Sequence, residues 1–235
     1  CGVVLLLATT NKMTQDIAPI PFLWILPLSI YLISFIICFD HSRWYVRRFW
    51  VAGYCVSLIP AIFLLFFGKL TGVVFQISLY SFILFTACMI CHGELVRLKP
   101  SVSRLTSFYL TIALGGALGG VFVAIVSPTI FTTFMEFYVG VFGAGFLAWT
   151  CRRQDTIGAL AQLENGRKKR ESTRKLDEKK NLLLKNQMYT TVLCSLCGVV
   201  LISSLLVHAS LTNRNFLSQS RNFYGILGVK ETTNI

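Results

Sequence analysis

The sequence predicts an all-α polytopic transmembrane bundle of about six full spans plus one truncated at the N-terminus, ending in a short β-prone tail. Three observations carry that prediction. The 235 residues are 54% hydrophobic and only 14% charged, with a mean hydropathy of +0.66, against about 25% charged in water-soluble domains. Apolar runs recur at the length of a hydrocarbon core, about 18 to 20 residues. Finally, Lys and Arg are sorted between alternate connecting segments, which is the positive-inside pattern. The 8 Cys are diluted over a long apolar chain, so a disulfide scaffold is excluded. With 19 Phe, 8 Tyr and 4 Trp, so is general disorder.

The first run, Cys1 to Ala8, has neither an initiator Met nor a basic flank and reads as the tail of a helix whose start is missing. The segment that follows, from Ala8 to Trp24, is unusually polar for a connection between membrane helices. Thr9, Thr10, Asn11, Thr14, Gln15 and Asp16 offer donors and acceptors, as in backbone that lines a water-filled cavity. Asp16 equally fits a cap near a helix start. Full runs then follow at about Phe22 to Phe39, Val51 to Phe67, Val73 to Ile90, Ser107 to Val126, Ile130 to Trp149 and Met188 to Val207. Pro27 falls inside the first of these and predicts a kink.

Between the runs, Arg43, Arg47 and Arg48 share one connection, Arg97, Lys99 and Arg104 another, and eleven bases lie between Arg152 and Lys185. The alternate segments hold Lys12, Lys69 and none. Loops 40–50, 91–106 and 151–187 are therefore expected in the cytoplasm, and the tail from 208 outside, despite its Arg214, Arg221 and Lys230. In the long loop, eleven bases against five acids leave +6 of the net +12. That charge reports orientation and attraction to anionic lipid headgroups. A nucleic-acid partner is not expected, because the charges are of mixed sign and no aromatic residues interleave them to stack bases.

Gly115, Gly116, Gly119 and Gly120 form two overlapping G-x-x-x-G frames, and Gly140, Gly143 and Gly145 repeat the theme in the next run. Small residues let helix backbones approach where lipid supplies no hydrophobic drive. They fit tight packing in a bundle or a sliding pair in a transporter. Glu136, about two turns into the run that begins near Ile130, is costly at that depth unless it meets a partner or water. Cys88, Cys91 and His92 spell the c-type haem pattern, but inside an apolar run and at the cytoplasmic end. With Cys194 and Cys197 they make two C-x-x-C pairs, which fit packing residues or, less simply, a redox or zinc site. No catalytic motif, cofactor motif or metal-ligand set is otherwise legible.

Four stretches carry a family resemblance: ATTNKMTQDIAPIPFLWILPLSIYLISFIICFD from Ala8 to Asp40, CHGELVRLKPSVSRLTSFYLTIALGGALGG from Cys91 to Gly120, FMEFYVG around Glu136, and SRNFYGILGVKE from Ser220 to Glu231. In this order they resemble bacterial fused major-facilitator-like and spermidine synthase-like membrane proteins. The resemblance implies a transmembrane domain over 1–207 in the inner membrane. It implies a linker and first strand over 208–235, leading into a synthase-like domain whose glycine-rich loop and acids lie beyond Ile235. No catalytic residue is carried over. A basic loop as long as 151–187 departs from the family pattern.

Two uses of the bundle follow. One is an anchor for the downstream domain that also binds or moves a small cationic substrate such as a polyamine, with Asp16 and Glu136 as the attracting carboxylates and Thr10, Asn11, Thr14 and Gln15 beside them. The other is a non-transporting scaffold or complex subunit whose glycine-rich helices pack against other membrane subunits.

Overall fold

The computed structural model describes residues 1–17, 22–67, 71–131, 133–167, 218–222 and 225–229, and scattered helical positions between 180 and 207. Nearly all of it is helical. The helices are α1 (Gly2–Asn11), continued by a π-helical turn (Lys12–Ile17), α2 (Ile25–Asp40), α3 (Arg47–Phe67), α4 (Val73–Arg97), α5 (Leu105–Val121), a second π-helical turn (Phe122–Val126), α6 (Ser127–Ile130) and α7 (Glu136–Arg167). Strands β1 (Ser218–Asn222) and β2 (Gly225–Val229) pair antiparallel, with Asn222 opposite Gly225 at the closed end.

Three stretches are long and apolar enough to cross a membrane: Arg47–Phe67, Val73–Arg97 and Val102–Ile130. Helix α2 is apolar but shorter, at 16 residues. α7 carries Arg152, Arg153 and Asp155 within its length, and the run Met188 to Val207 is only partly described.

α4 is the centre of the bundle. It packs against α2, α3, α7 and α1, and its buried face runs through Tyr80, Ile83, Leu84 and Ala87 to Glu94. α1 is apolar on nearly every side and lies between two glycine faces. A Cβ on Gly119 would meet Val4 Cγ2 at 3.2 Å, and one on Gly140 would meet Leu5 Cδ2 at 3.1 Å. Gly116 faces Val3, whereas Gly115 and Gly120 face open space. Of the four predicted packing glycines, two thus touch a neighbouring helix. α5 packs chiefly on α1 and is otherwise largely exposed.

Several predicted boundaries are corrected. The polar segment after Ala8 is helix as far as Ile17, since Thr10 and Thr14 hydroxyls donate to the carbonyls of Leu6 and Thr10, both at 2.8 Å, and so satisfy themselves on their own helix. Pro27 occupies the first turn of α2, where its missing N–H breaks no helical bond, so no mid-helix kink results. Pro60 is the proline inside a helix, and there it leaves the Val56 carbonyl without its i+4 donor. Residues 47–50, 91–97 and 151–167, expected in loops, belong to α3, α4 and α7. The helix expected from Ile130 begins at Glu136, six residues later.

Candidate functional site

Among the described residues, ion pairs form at two places, and α7 connects them. Glu136 opens α7 and Asp155 lies nineteen residues on, about 28 Å at 1.5 Å per residue, which is the thickness of a hydrocarbon core.

At the Glu136 end, the carboxylate is fully buried and is gripped by Arg221 of β1, whose side chain is 3% exposed. The guanidinium binds it in parallel: Nη1 donates to Oε2 at 2.9 Å and Nη2 to Oε1 at 2.6 Å. Nη1 also donates to the Thr133 carbonyl at 2.7 Å, and the ring of Phe134 lies 4.4 Å from Cζ. Ser127 of α6 donates to Oε2 at 2.8 Å. The short break between α6 and α7 lets this happen. There the Thr133 carbonyl accepts from Met135 N–H at 2.8 Å and keeps a second lone pair for Arg221, and Phe134, 4% exposed, is turned into the interior. Lys12, on the π-helical turn, reaches 5.9 Å from the same ring.

At the Asp155 end, α4 carries the tripeptide His92-Gly93-Glu94, of which Gly93 and Glu94 meet Tyr45 and His92 meets α2. Glu94 Oε1 accepts from Tyr45 Oη at 2.6 Å, and Arg47 of α3 binds both oxygens of the same carboxylate. Arg47 continues to Asp155 of α7, which also receives Arg97 at 2.8 Å. Gly93 has the Tyr45 ring where a Cβ would stand, 2.2 Å from Cδ2 and 2.3 Å from Cγ. Only glycine allows that approach. Burial, and then the Glu94 carboxylate beside it, raise the Tyr45 hydroxyl pKa well above the usual tyrosine range, so it remains a donor.

His92 points the other way, into a niche of Tyr31 and Phe35 rings at 4.8 and 5.3 Å, both edge-on. Ser34 Oγ donates to the Tyr31 carbonyl at 2.8 Å and faces His92 Nδ1 at 3.1 Å. A hydroxyl has one proton, so Ser34 accepts from Nδ1–H, and Nε2 is left as an unpartnered buried acceptor beside Gly2.

The predicted substrate cluster is therefore placed as follows. Glu136 sits in the Arg221 pair. Thr10 and Thr14 bond to their own helix, Gln15 is exposed and Asn11 is half-buried. The Asp16 side chain lies outside the described residues, as do Cys194 and Cys197. Cys88 and Cys91 are free thiols buried in α4, and among the described residues no three His, Cys, Asp or Glu side chains are placed to hold a metal. A cavity of about 280 Å³ between α3, α7 and the helical residues Thr191, Ser195, Gly198, Val199 and Ile202 is walled mainly by Tyr54, Leu58, Phe142, Phe146 and Trp149. None of the predicted polar residues lines it.

Arg221, Arg47, Tyr45, Asp155 and Ser127 were not singled out by the sequence reading. One signal was available: an acid inside or beside an apolar run demands a cation, and Arg221 lies in a tail segment otherwise poor in acids. Comparison with known proteins finds no matching family model, no matching curated protein and no matching solved structure.

Proposed function

We propose that the chain is the integral membrane bundle of a bacterial spermidine synthase-like fusion protein, and that its task is to anchor the segment leading into the downstream domain. The observation that carries this reading is the buried Arg221–Glu136 pair. The resemblance sets the start of the synthase-like domain at Ser220 to Glu231, and it is this stretch that is fastened to the end of α7. A buried pair with bidentate geometry fixes position and register better than a flexible linker does.

In this reading α2, α3, α4, the α5–α6 stretch, α7 and the run Met188 to Val207 cross the inner membrane in turn, with α1 as a seventh, partial element. The Asp155 end, with Arg43, Arg48, Lys99, Arg104 and Arg153 around it, faces the cytoplasm and anionic headgroups. The Glu136 end and the hairpin lie on the far side. A substrate-moving role for Glu136 is less well supported, because the carboxylate already holds an arginine, and Thr10 and Thr14 are turned to their own backbone.

Reporter enzymes active on one side of the membrane only, fused after Ile235, test the sidedness. Activity of the external reporter is expected, and activity of the cytoplasmic one would overturn the orientation. Hydrogen exchange over Ser218–Val229 in the whole chain tests the anchoring. Glu136→Gln is expected to speed exchange there at least tenfold, since removing one partner of a buried pair costs about 3–5 kcal/mol. Unchanged protection would refute the anchor.

A further inference from the structure

The elements around Glu136 make a receptor that is complete without the tail. Ser127, Thr133, Phe134 and Glu136 fall within ten residues of chain at the α6–α7 break, whereas Arg221 comes from 85 residues away. The Ser127 hydroxyl donates to Oε2 at 2.8 Å and leaves Oε1 and a second site on Oε2 for a cation. The Thr133 carbonyl and the Phe134 face are supplied by the same turn.

We propose that this cradle is a guanidinium-binding site, with Arg221 as its resident ligand supplied in cis, so that any free guanidinium compound competes with the tail for it. The proposal rests on the anchor reading above and names the chemistry that the anchor point selects.

The selectivity follows from shape. Two parallel N–H groups meet the two carboxylate oxygens at 2.9 and 2.6 Å, and a third donor bond from the same plane reaches the carbonyl at 2.7 Å. The flat cation meanwhile lies against an aromatic ring, 4.4 Å from its centroid. An alkylammonium is a compact point charge with tetrahedral donors and cannot make the parallel pair and the ring contact together. The site therefore distinguishes guanidinium from amine, and a polyamine is a poor occupant of it.

The test uses the full chain in nanodiscs, with its thermal midpoint measured for wild type, Arg221→Ala and Arg221→Ala/Glu136→Gln, with methylguanidinium, methylammonium or sodium chloride at equal tens-of-millimolar concentration. The expected result is a lowered midpoint in Arg221→Ala that methylguanidinium raises again, saturably, while methylammonium and salt do not. Wild type and the double variant should not respond. A midpoint in Arg221→Ala equal to wild type would overturn both the anchor and the receptor. A lowered midpoint with no rescue, with equal rescue by methylammonium, or with equal rescue of the double variant would overturn the receptor and leave the anchor standing. If Arg221→Ala does not accumulate, Arg221→Gln keeps an amide donor for the Thr133 carbonyl and carries the same comparison.

Discussion

Replacing Gly93 by alanine tests the assembly at the Asp155 end with a single methyl group. The new Cβ would stand 2.2 Å from Tyr45 Cδ2 and 2.3 Å from Cγ. Cγ lies on the ring's rotation axis, so turning the ring moves Cδ2 but leaves the Cγ clash in place, and the whole side chain must swing out. Doing so withdraws the Tyr45 hydroxyl from Glu94, a bond of 2.6 Å to a carboxylate that is 2% exposed. A hydrogen bond to a charged group contributes about 1.5–3 kcal/mol, overpacking costs a further ~1–3 kcal/mol, and alanine's better helix propensity returns up to ~1 kcal/mol. The expected net loss is about 1.5–6 kcal/mol, read as a shift in denaturant midpoint of the detergent-solubilised chain. Gly115→Ala, whose Cβ meets nothing within 4 Å, is the control and should change stability by under about 1 kcal/mol. Adding Gly93→Ala to Tyr45→Ala should cost little, because the obstructing ring is gone. Equal effects of Gly93→Ala and Gly115→Ala, or full additivity with Tyr45→Ala, would refute the reasoning.

Two further outcomes follow from packing. Gly119→Leu should separate α5 from α1, since even its Cβ would meet Val4 Cγ2 at 3.2 Å and the Val4 backbone nitrogen at 3.6 Å, whereas Gly120→Leu projects into open space; a denaturation midpoint that falls equally in both would contradict this placement of α1. Cys38 and Cys88, at 1% and 0% exposure, should resist maleimide in the folded chain while the half-buried Cys151, beside the charged cluster, reacts, and mass spectrometry showing the opposite order would sink the assignment of the core.

How far the fold was legible depends on which forces act locally. Apolar runs of span length mark α3, α4 and the α5–α6 stretch, because burial in lipid is a property of each segment alone. Helix ends were read less well, and for one reason. Hydropathy stops a helix at a charge, yet α4 continues through Glu94 because Arg47 and Tyr45, distant in sequence, neutralise it. At α7 the error has the opposite sign: the apolar residues from Ile130 look helical, but the chain breaks there and presents Thr133 and Phe134 to Arg221. Glu136 was singled out from its depth in an apolar run, while Arg221, its partner, counted in the sequence only toward the sidedness and the family resemblance of the tail. The glycine frames were visible as a pattern, but which pair is used depends on where α1 lies, and that is settled by Val3 and Val4.

The two ion-pair clusters bear on specificity more than on gross stability. A buried pair repays its desolvation only roughly, and apolar residues of equal volume often stabilise as well or better. What such pairs do enforce is a single arrangement, because an unpaired buried charge is expensive in every other one. α7 meets that condition at its Glu136 end, paired with Arg221 of β1, while at the other end the half-exposed Asp155 pairs with Arg47 of α3 and Arg97 of α4. Sliding α7 by one turn, about 5.4 Å, would break both sets at once and would bring a side chain to where Gly140 passes Leu5, a Cβ there standing 3.1 Å from Leu5 Cδ2. The smooth faces allow close approach and the charges set the register. A helix held this way transmits the position of the membrane bundle to the hairpin, which is the mechanical requirement for an anchor. It also accounts for part of the chain's positive charge in a way that orientation alone does not: Arg47, Arg97 and Arg221 are committed to acids of the bundle.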